Sequence, residues 1–217
     1  MTTLELLQIG LYLGLLIVCV PLLGGYMARV FEGEGTFLSP MIRPVENGLY
    51  RLIGTSSAIE HNWREYAIAL LMFNLLGFVL LFVIQLLQGV LPLNPENVSS
   101  VEPLLAFNTA TSFATNTNWQ AYGGETTMSY LTQMMGLGVQ NFVSAATGIA
   151  VVIALTRVLA RRTAETIGNF WVDLVRGILY VLLPLSLILA LILVSQGVIQ
   201  NFNNYVPADT LSSEVQM

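Results

Sequence analysis

Thr115, Asn116, Thr117 and Asn118 form an unbroken run of short, uncharged side chains, each carrying an oxygen. Such oxygens, with the backbone carbonyls of an open loop, can replace the hydration shell of a cation. None bears a full charge, so an ion is held weakly enough to leave again, as conduction requires. Thr and Asn side chains also back-bond to nearby backbone and so hold a loop open. Trp119, Gln120 and Tyr122 come next, and Gly123-Gly124 permits a return turn. The whole stretch Pro103–Gly124 lacks a charge, yet is too polar to span a bilayer.

The residues ahead of the run must position it. Leu104, Phe107, Ala110 or Thr111, and Phe113 or Ala114 recur at helical spacing, which predicts a short helix over Pro103–Phe113. Pro103 suits its first turn, and Glu102 or Ser99 can act near its N-terminus. About ten residues at 1.5 Å each reach roughly 15 Å, half the hydrocarbon thickness. A helix dipping in this far ends near the midplane with its partially negative carbonyl end inward, which favours a cation. Irregular backbone at that depth survives only when buried in protein or lining a watery cavity. Thr115, Asn116, Thr117 and Asn118 are then the candidate ion-binding filter, with Trp119 and Gln120 at the outer mouth. Composition also fits a solvated extracellular loop, with Trp119 and Tyr122 as interfacial aromatics.

The 217 residues are 55% hydrophobic and only 10% charged, with a mean hydropathy of +0.71. A soluble domain carries about 25% charged residues, so lipid is the solvent here. Four stretches are long enough to cross about 30 Å of hydrocarbon: Leu6–Ala28, Tyr66–Pro92, Met128–Thr156 and Gly177–Gln196. The first lacks a basic n-region, carries Glu5 instead, and is read as a retained span. All eight basic residues are arginine. Arg29, Arg43, Arg51 and Arg64 lie between the first two spans, and Arg157, Arg161, Arg162 and Arg176 between or bordering the last two. Positive residues mark cytoplasmic loops, so both termini and the polar stretch are expected on the outer side.

Several functions fall away. Without lysine there is neither a Walker-type phosphate loop nor a kinase nucleotide site, so no ATP site is expected. A net charge of −5 argues against nucleic acid. His61 is the single histidine and Cys19 the single cysteine, which leaves no zinc-type ligand set and no intrachain disulfide. The third span contains Gly136, Gly138, Gln140, Asn141, Ser144, Ala145, Ala146, Thr147 and Gly148, small and polar residues suited to packing against other helices, with direct ion contact as the other reading of Gln140 and Asn141. Between Val30 and Glu65, Gly33, Gly35, Pro40 and Pro44 break the first half of a cytoplasmic loop, and Pro44–Ile53 is read as a short interfacial helix. Its arginines can meet anionic lipid or a partner subunit, while simple positive-inside placement suffices for any one of them. Pro184 is expected to kink the fourth span.

Four segments stand in an order and spacing that point to a family: Glu46–Gly54, Trp63–Ala67, Phe107–Gln120 and Val139–Ile149. Together they resemble the potassium-binding A subunit of the Kdp potassium-importing ATPase. That resemblance implies an all-α integral membrane protein of the potassium-transporter superfamily built from span–pore loop–span repeats, four of whose loops surround one filter. It implies potassium as the bound ion, at Thr115, Asn116, Thr117 and Asn118, with Gln120 just outside. It also implies a P-type ATPase catalytic subunit as the partner that hydrolyses ATP, further accessory subunits, and the bacterial inner membrane as location. Members of that family are longer and hold three more pore loops. On this plan the chain divides into an extra span (1–30), a cytoplasmic loop (31–65), one repeat (66–156, with pore helix and filter at 103–124), a second cytoplasmic loop (157–176), the first helix of another repeat (177–196) and an extracytoplasmic tail (197–217). A passive potassium channel or symporter subunit, and a non-transporting scaffold, are the other readings.

Overall fold

In the computed structural model the described residues are 2–160, 165–205, 208–209 and 215–216; the expectations for Arg161 and Arg162 lie outside them. Four helical stretches are long and apolar enough to cross a membrane: Thr3–Glu32, Trp63–Val90, Thr132–Ala160 and Phe170–Ser195. The first is α1 (Thr3–Glu32), whose N-cap Thr2 forms a capping box with Glu5. Next comes α2 (Ser39–Ile53), then α3 (Trp63–Leu87), which tightens into a 3₁₀ turn at Gln88–Val90. The short α4 (Pro103–Ala114) and α5 (Gly124–Thr127) follow. The third span opens as a π-helical run, Thr132–Gly138, and continues as α6 (Val139–Ala160). The fourth comprises α7 (Phe170–Arg176), a second π-helical run at Gly177–Leu182, and α8 (Leu183–Ser195). Outside the helices, Ala208–Asp209 pairs antiparallel with Val215–Gln216, and His61 bridges to Gly168.

The helices pack side by side, with separate buried clusters toward the two ends of the spans. At one end the start of α3, the end of α6 and the start of α7 share a core of Tyr66, Ala69, Ala146, Ala150, Ala154, Phe170 and Leu174. Its alanines let the backbones come close, the usual device where lipid offers no hydrophobic drive between helices. At the other end α4 is packed between α3 and the third span, with Leu81, Val101, Ala106, Ala110, Phe113, Met128 and Leu137 buried together. Gln88 ties this end: its Nε2 donates to the carbonyls of Ser99 and Thr127, both at 2.7 Å, and its Oε1 accepts from the Thr132 hydroxyl at 2.9 Å. The chain beyond the fourth span returns here, with Tyr130 donating to the Asn203 carbonyl at 2.8 Å. All described arginines sit on segments of the first end, as the loop charges suggested.

Two expectations are corrected. Pro40 and Pro44 do not break the chain, since α2 runs through both. Pro40 lies in the first turn, where the missing N–H has no helical partner to lose. The fourth span also begins earlier than Gly177, because Asn169 caps it, accepting from the N–H of Trp171 at 3.0 Å. The added turn carries Asp173 and Arg176, and both are taken up by ion pairs.

Pro184 follows the second π-helical run, and its missing N–H leaves the Tyr180 carbonyl short of a donor. The Tyr26 hydroxyl on α1 fills that place at 2.8 Å, so a proline in one span creates the acceptor that fixes another. Tyr26→Phe is expected to lower stability by about 1 kcal/mol, the worth of one hydrogen bond with its acceptor left bare. Thermal unfolding of the purified protein in detergent measures it, and an unchanged midpoint would show that the carbonyl finds another donor.

Candidate functional site

α4 begins as the sequence suggests. Pro103 takes the first turn, and Glu102 caps it, its Oε2 accepting from Leu105 N–H at 2.9 Å. The helix ends at Ala114, where the backbone folds back on its own carbonyl end. Thr117 N–H and Asn118 N–H donate to the Ser112 carbonyl at 2.9 and 3.2 Å, Thr115 N–H to Thr111 at 3.0 Å, and Asn116 N–H to Phe113 at 3.3 Å. Every N–H of the run is therefore turned toward the helix. No described hydrogen bond ends on the carbonyls of Thr115, Asn116, Thr117 or Asn118, and all four residues are exposed.

Backbone handedness accounts for that arrangement. Asn116 and Asn118 have φ of 57° each, in the left-handed region, while Thr115 has φ −86° and Thr117 is not in the positive region. Alternating hands turn successive peptide planes so that carbonyls can share one side. Asn is among the few non-glycine residues that tolerate the left-handed well, because its amide can hydrogen-bond locally. The Thr115 hydroxyl donates to Thr111 carbonyl at 2.9 Å and lies 3.0 Å from the Thr117 hydroxyl. Threonines thus brace the loop to α4, and asparagines set its turns.

The loop also rests on the third span. Asn118 Nδ2 donates to Asn141 Oδ1 at 2.9 Å, and the Ser144 hydroxyl, which also donates to the Asn141 carbonyl at 3.1 Å, lies 3.3 Å from Asn116 Oδ1. Beyond the run, Trp119 is 67% exposed and Gln120 Nε2 donates to the Tyr122 hydroxyl at 3.2 Å. All six residues singled out by sequence therefore lie in one continuous segment. The structure gathers an uncharged oxygen surface there, open on one side. Sequence alone leaves Asn141 open between packing and ion contact and sets Ser144 among the packing residues. Their signal was two polar groups about one turn apart in an apolar span, but which element they would meet was invisible. The neighbouring Gln140 turns elsewhere, against Gly77 of α3, where a side chain of any size would collide with it.

A second polar cluster occupies the arginine end. Asp173, with no exposed surface, accepts from Arg157 through both oxygens, at 2.6 and 2.7 Å, and from the Tyr66 hydroxyl at 3.1 Å. Glu46 accepts from Tyr50 at 2.7 Å, Tyr180 at 2.8 Å and Arg176 at 3.1 Å. Burial pushes the Glu46 carboxyl up, but the hydrogen bonds from Tyr50, Tyr180 and Arg176 outweigh it and hold the group below its ordinary value. Burial first, and the Glu46 carboxylate second, raise the Tyr50 phenol. The Phe31 carbonyl at the end of α1 accepts from Arg157 at 3.3 Å and Arg176 at 3.4 Å. For these two arginines, side-specific placement is not the whole account: each joins elements far apart in sequence. A cavity of about 590 Å³ opens beside them, lined by Glu60, Arg157, Asp173 and Arg176 among others. It lies away from the Thr/Asn loop and shares no residue with it, so it is not the site of the oxygen surface.

The family described as Potassium-transporting ATPase A subunit matches residues 10–217. A "Potassium-transporting ATPase potassium-binding subunit" of Rhodospirillum centenum is 61% identical over 217 residues, covering 100% of this chain and 38% of that protein. Proteins of the same description from Sorangium cellulosum and Bordetella pertussis are 58% and 59% identical, over 98% and 94% of this chain and 37% and 34% of theirs. The chain thus spans little more than a third of the length of these relatives and corresponds to their N-terminal part. With four spanning helices and a match over nearly all its residues, the chain belongs to the family of the potassium-transporting ATPase A subunit.

Proposed function

We propose that this chain is part of the potassium-binding, channel-like subunit of an ATP-driven potassium importer in the bacterial inner membrane. Thr115, Asn116, Thr117 and Asn118 contribute one wall of the filter, mainly through backbone carbonyls, and Trp119 and Gln120 flank its outer mouth. A P-type ATPase subunit hydrolyses the ATP, with accessory subunits completing the complex. Both termini of the chain face the extracytoplasmic side and the arginine end faces the cytoplasm.

The observation that carries this reading is the set of four carbonyls on exposed residues that meet no donor among the described residues, on backbone of alternating hand at the C-terminal end of α4. Depth supports it. At about 1.5 Å per residue, Asn141 and Ser144 lie roughly 14 to 18 Å into the span that starts at Thr132, about half the ~30 Å hydrocarbon layer. On this reading a loop bonded to them lies at membrane depth, where bare carbonyls are tolerated only beside a watery or ion-filled cavity. A solvated extracellular loop would have no reason to sit there.

The test is potassium uptake by proteoliposomes holding the complex purified through this chain, at micromolar external potassium with and without ATP. ATP-dependent accumulation beyond the limit set by the membrane potential is expected, and Thr117→Lys, which places a fixed cation among the carbonyls, should abolish it. Uptake that equilibrates with the potential regardless of ATP would instead identify a passive channel. Undiminished uptake by Thr117→Lys would remove the loop from the ion path.

A further inference from the structure

Two side chains outside the loop govern its shape. Asn116 and Asn118 hold left-handed backbone, a conformation costly to L-residues unless the side chain is secured. Both amides are secured from the same place. Asn118 Nδ2 divides its two protons between Asn141 Oδ1 at 2.9 Å and Asn116 Oδ1 at 3.3 Å. The Ser144 hydroxyl shares its single proton between the Asn141 carbonyl at 3.1 Å and Asn116 Oδ1 at 3.3 Å. Ser144 is 4% exposed, and Asn141 and Ser144 lie on the face of α6 that meets the loop. The four residues form a closed polar ring joining the two left-handed positions to one rigid helix.

We infer that Asn141 and Ser144 are positioning residues for the filter: by fixing the left-handed turns at Asn116 and Asn118 they set the spacing of the loop carbonyls, and so the preference for potassium over sodium. The inference rests on the reading of Thr115–Asn118 as filter. Neither residue touches the ion. The hydrogen bonds to α4 restrain the N–H groups of the loop and the threonine hydroxyls, and the asparagine amides are the further restraint at the two left-handed turns. Without the ring, each left-handed turn can relax and its carbonyl can swing away. A flexible set of oxygens closes around a smaller ion as readily as a larger one, so discrimination falls before the maximal rate does.

The experiment uses the intact complex in proteoliposomes and compares Asn141→Ala, Ser144→Ala and Ser144→Thr. Potassium-stimulated ATP hydrolysis gives KM and kcat, and sodium competition gives ion preference. Each alanine variant is expected to raise the KM for potassium by about fivefold, the equivalent of one neutral hydrogen bond, with ion preference falling by a similar factor and kcat little changed. Ser144→Thr, which keeps the hydroxyl, should restore the wild-type values. Combining Asn141→Ala with Asn118→Ala should add little to Asn118→Ala alone, since both act through one contact. Unchanged KM and ion preference in both alanine variants, with Thr117→Lys still abolishing uptake, overturn the positioning role and leave the filter standing. A fall in kcat alone also overturns it, as that reports helix packing. Should Asn141→Ala fail to assemble, the Ser144 pair decides. An inert Thr117→Lys overturns the filter and the positioning role together.

Discussion

Asp173→Ala is expected to cost the protein about 3 kcal/mol of stability, because it strips a buried arginine of its countercharge. Asp173 has no exposed surface, and its two oxygens accept from Arg157 at 2.6 and 2.7 Å while the Tyr66 hydroxyl completes the carboxylate. Breaking such a pair by removing one partner typically costs about 3–5 kcal/mol. The lower end applies because the Arg157 side chain is 19% exposed and borders a cavity of about 590 Å³ into which it can relax. The same physics gives the companion result. Replacing both partners, with Arg157→Met and Asp173→Leu together, removes the desolvation of both ions along with their attraction and should recover most of the loss. Denaturant or thermal unfolding in detergent measures both variants. A double variant as unstable as the single one would mean that the ion pair itself, and not relief from an unpaired charge, supplies the stability.

Gly168→Ala is expected to destabilise by roughly 3 kcal/mol through two separable causes. Its φ is +106°, a region nearly closed to L-residues. The backbone cannot rotate out of it cheaply, because the Gly168 carbonyl accepts from His61 N–H at 2.7 Å and the preceding N–H of Ile167 donates back to His61 at 3.0 Å. A methyl here would also overlap Arg157 Nη1 and sit 2.9 Å from its Cζ, so the guanidinium must leave Asp173. The two causes separate in the Arg157→Met background. There the clash disappears and only the backbone term remains, so Gly168→Ala should cost about half as much. An equal cost in both backgrounds would show that the methyl never displaces the arginine.

Much of this molecule was legible from residue order. Continuous apolar runs located the four spans, since only helices satisfy their own backbone in lipid. The arginines between alternate spans announced which ends would gather. Pro103 and Glu102 marked the start of α4, and the Thr-Asn-Thr-Asn run announced a loop rich in uncharged oxygen. Local rules decide each of these, so neighbours in sequence suffice.

Other features depended on what each residue meets. The first turn of the fourth span carries Asp173 and Arg176, whose charges are matched only by Arg157 and Glu46 from other elements. Pro184 was readable as a residue lacking an N–H, but not that Tyr26, from α1, would occupy the carbonyl it frees. Sequence alone also could not show how the loop is held. That depends on which atoms of Asn116 and Asn118 face Asn141 and Ser144. By itself the sequence determined a four-span helical protein with one polar, uncharged loop, because solvent and backbone chemistry act residue by residue. Only the tertiary structure decided where charge is neutralised and how the loop is held, because ion pairs and side-chain hydrogen bonds join residues that are distant in sequence.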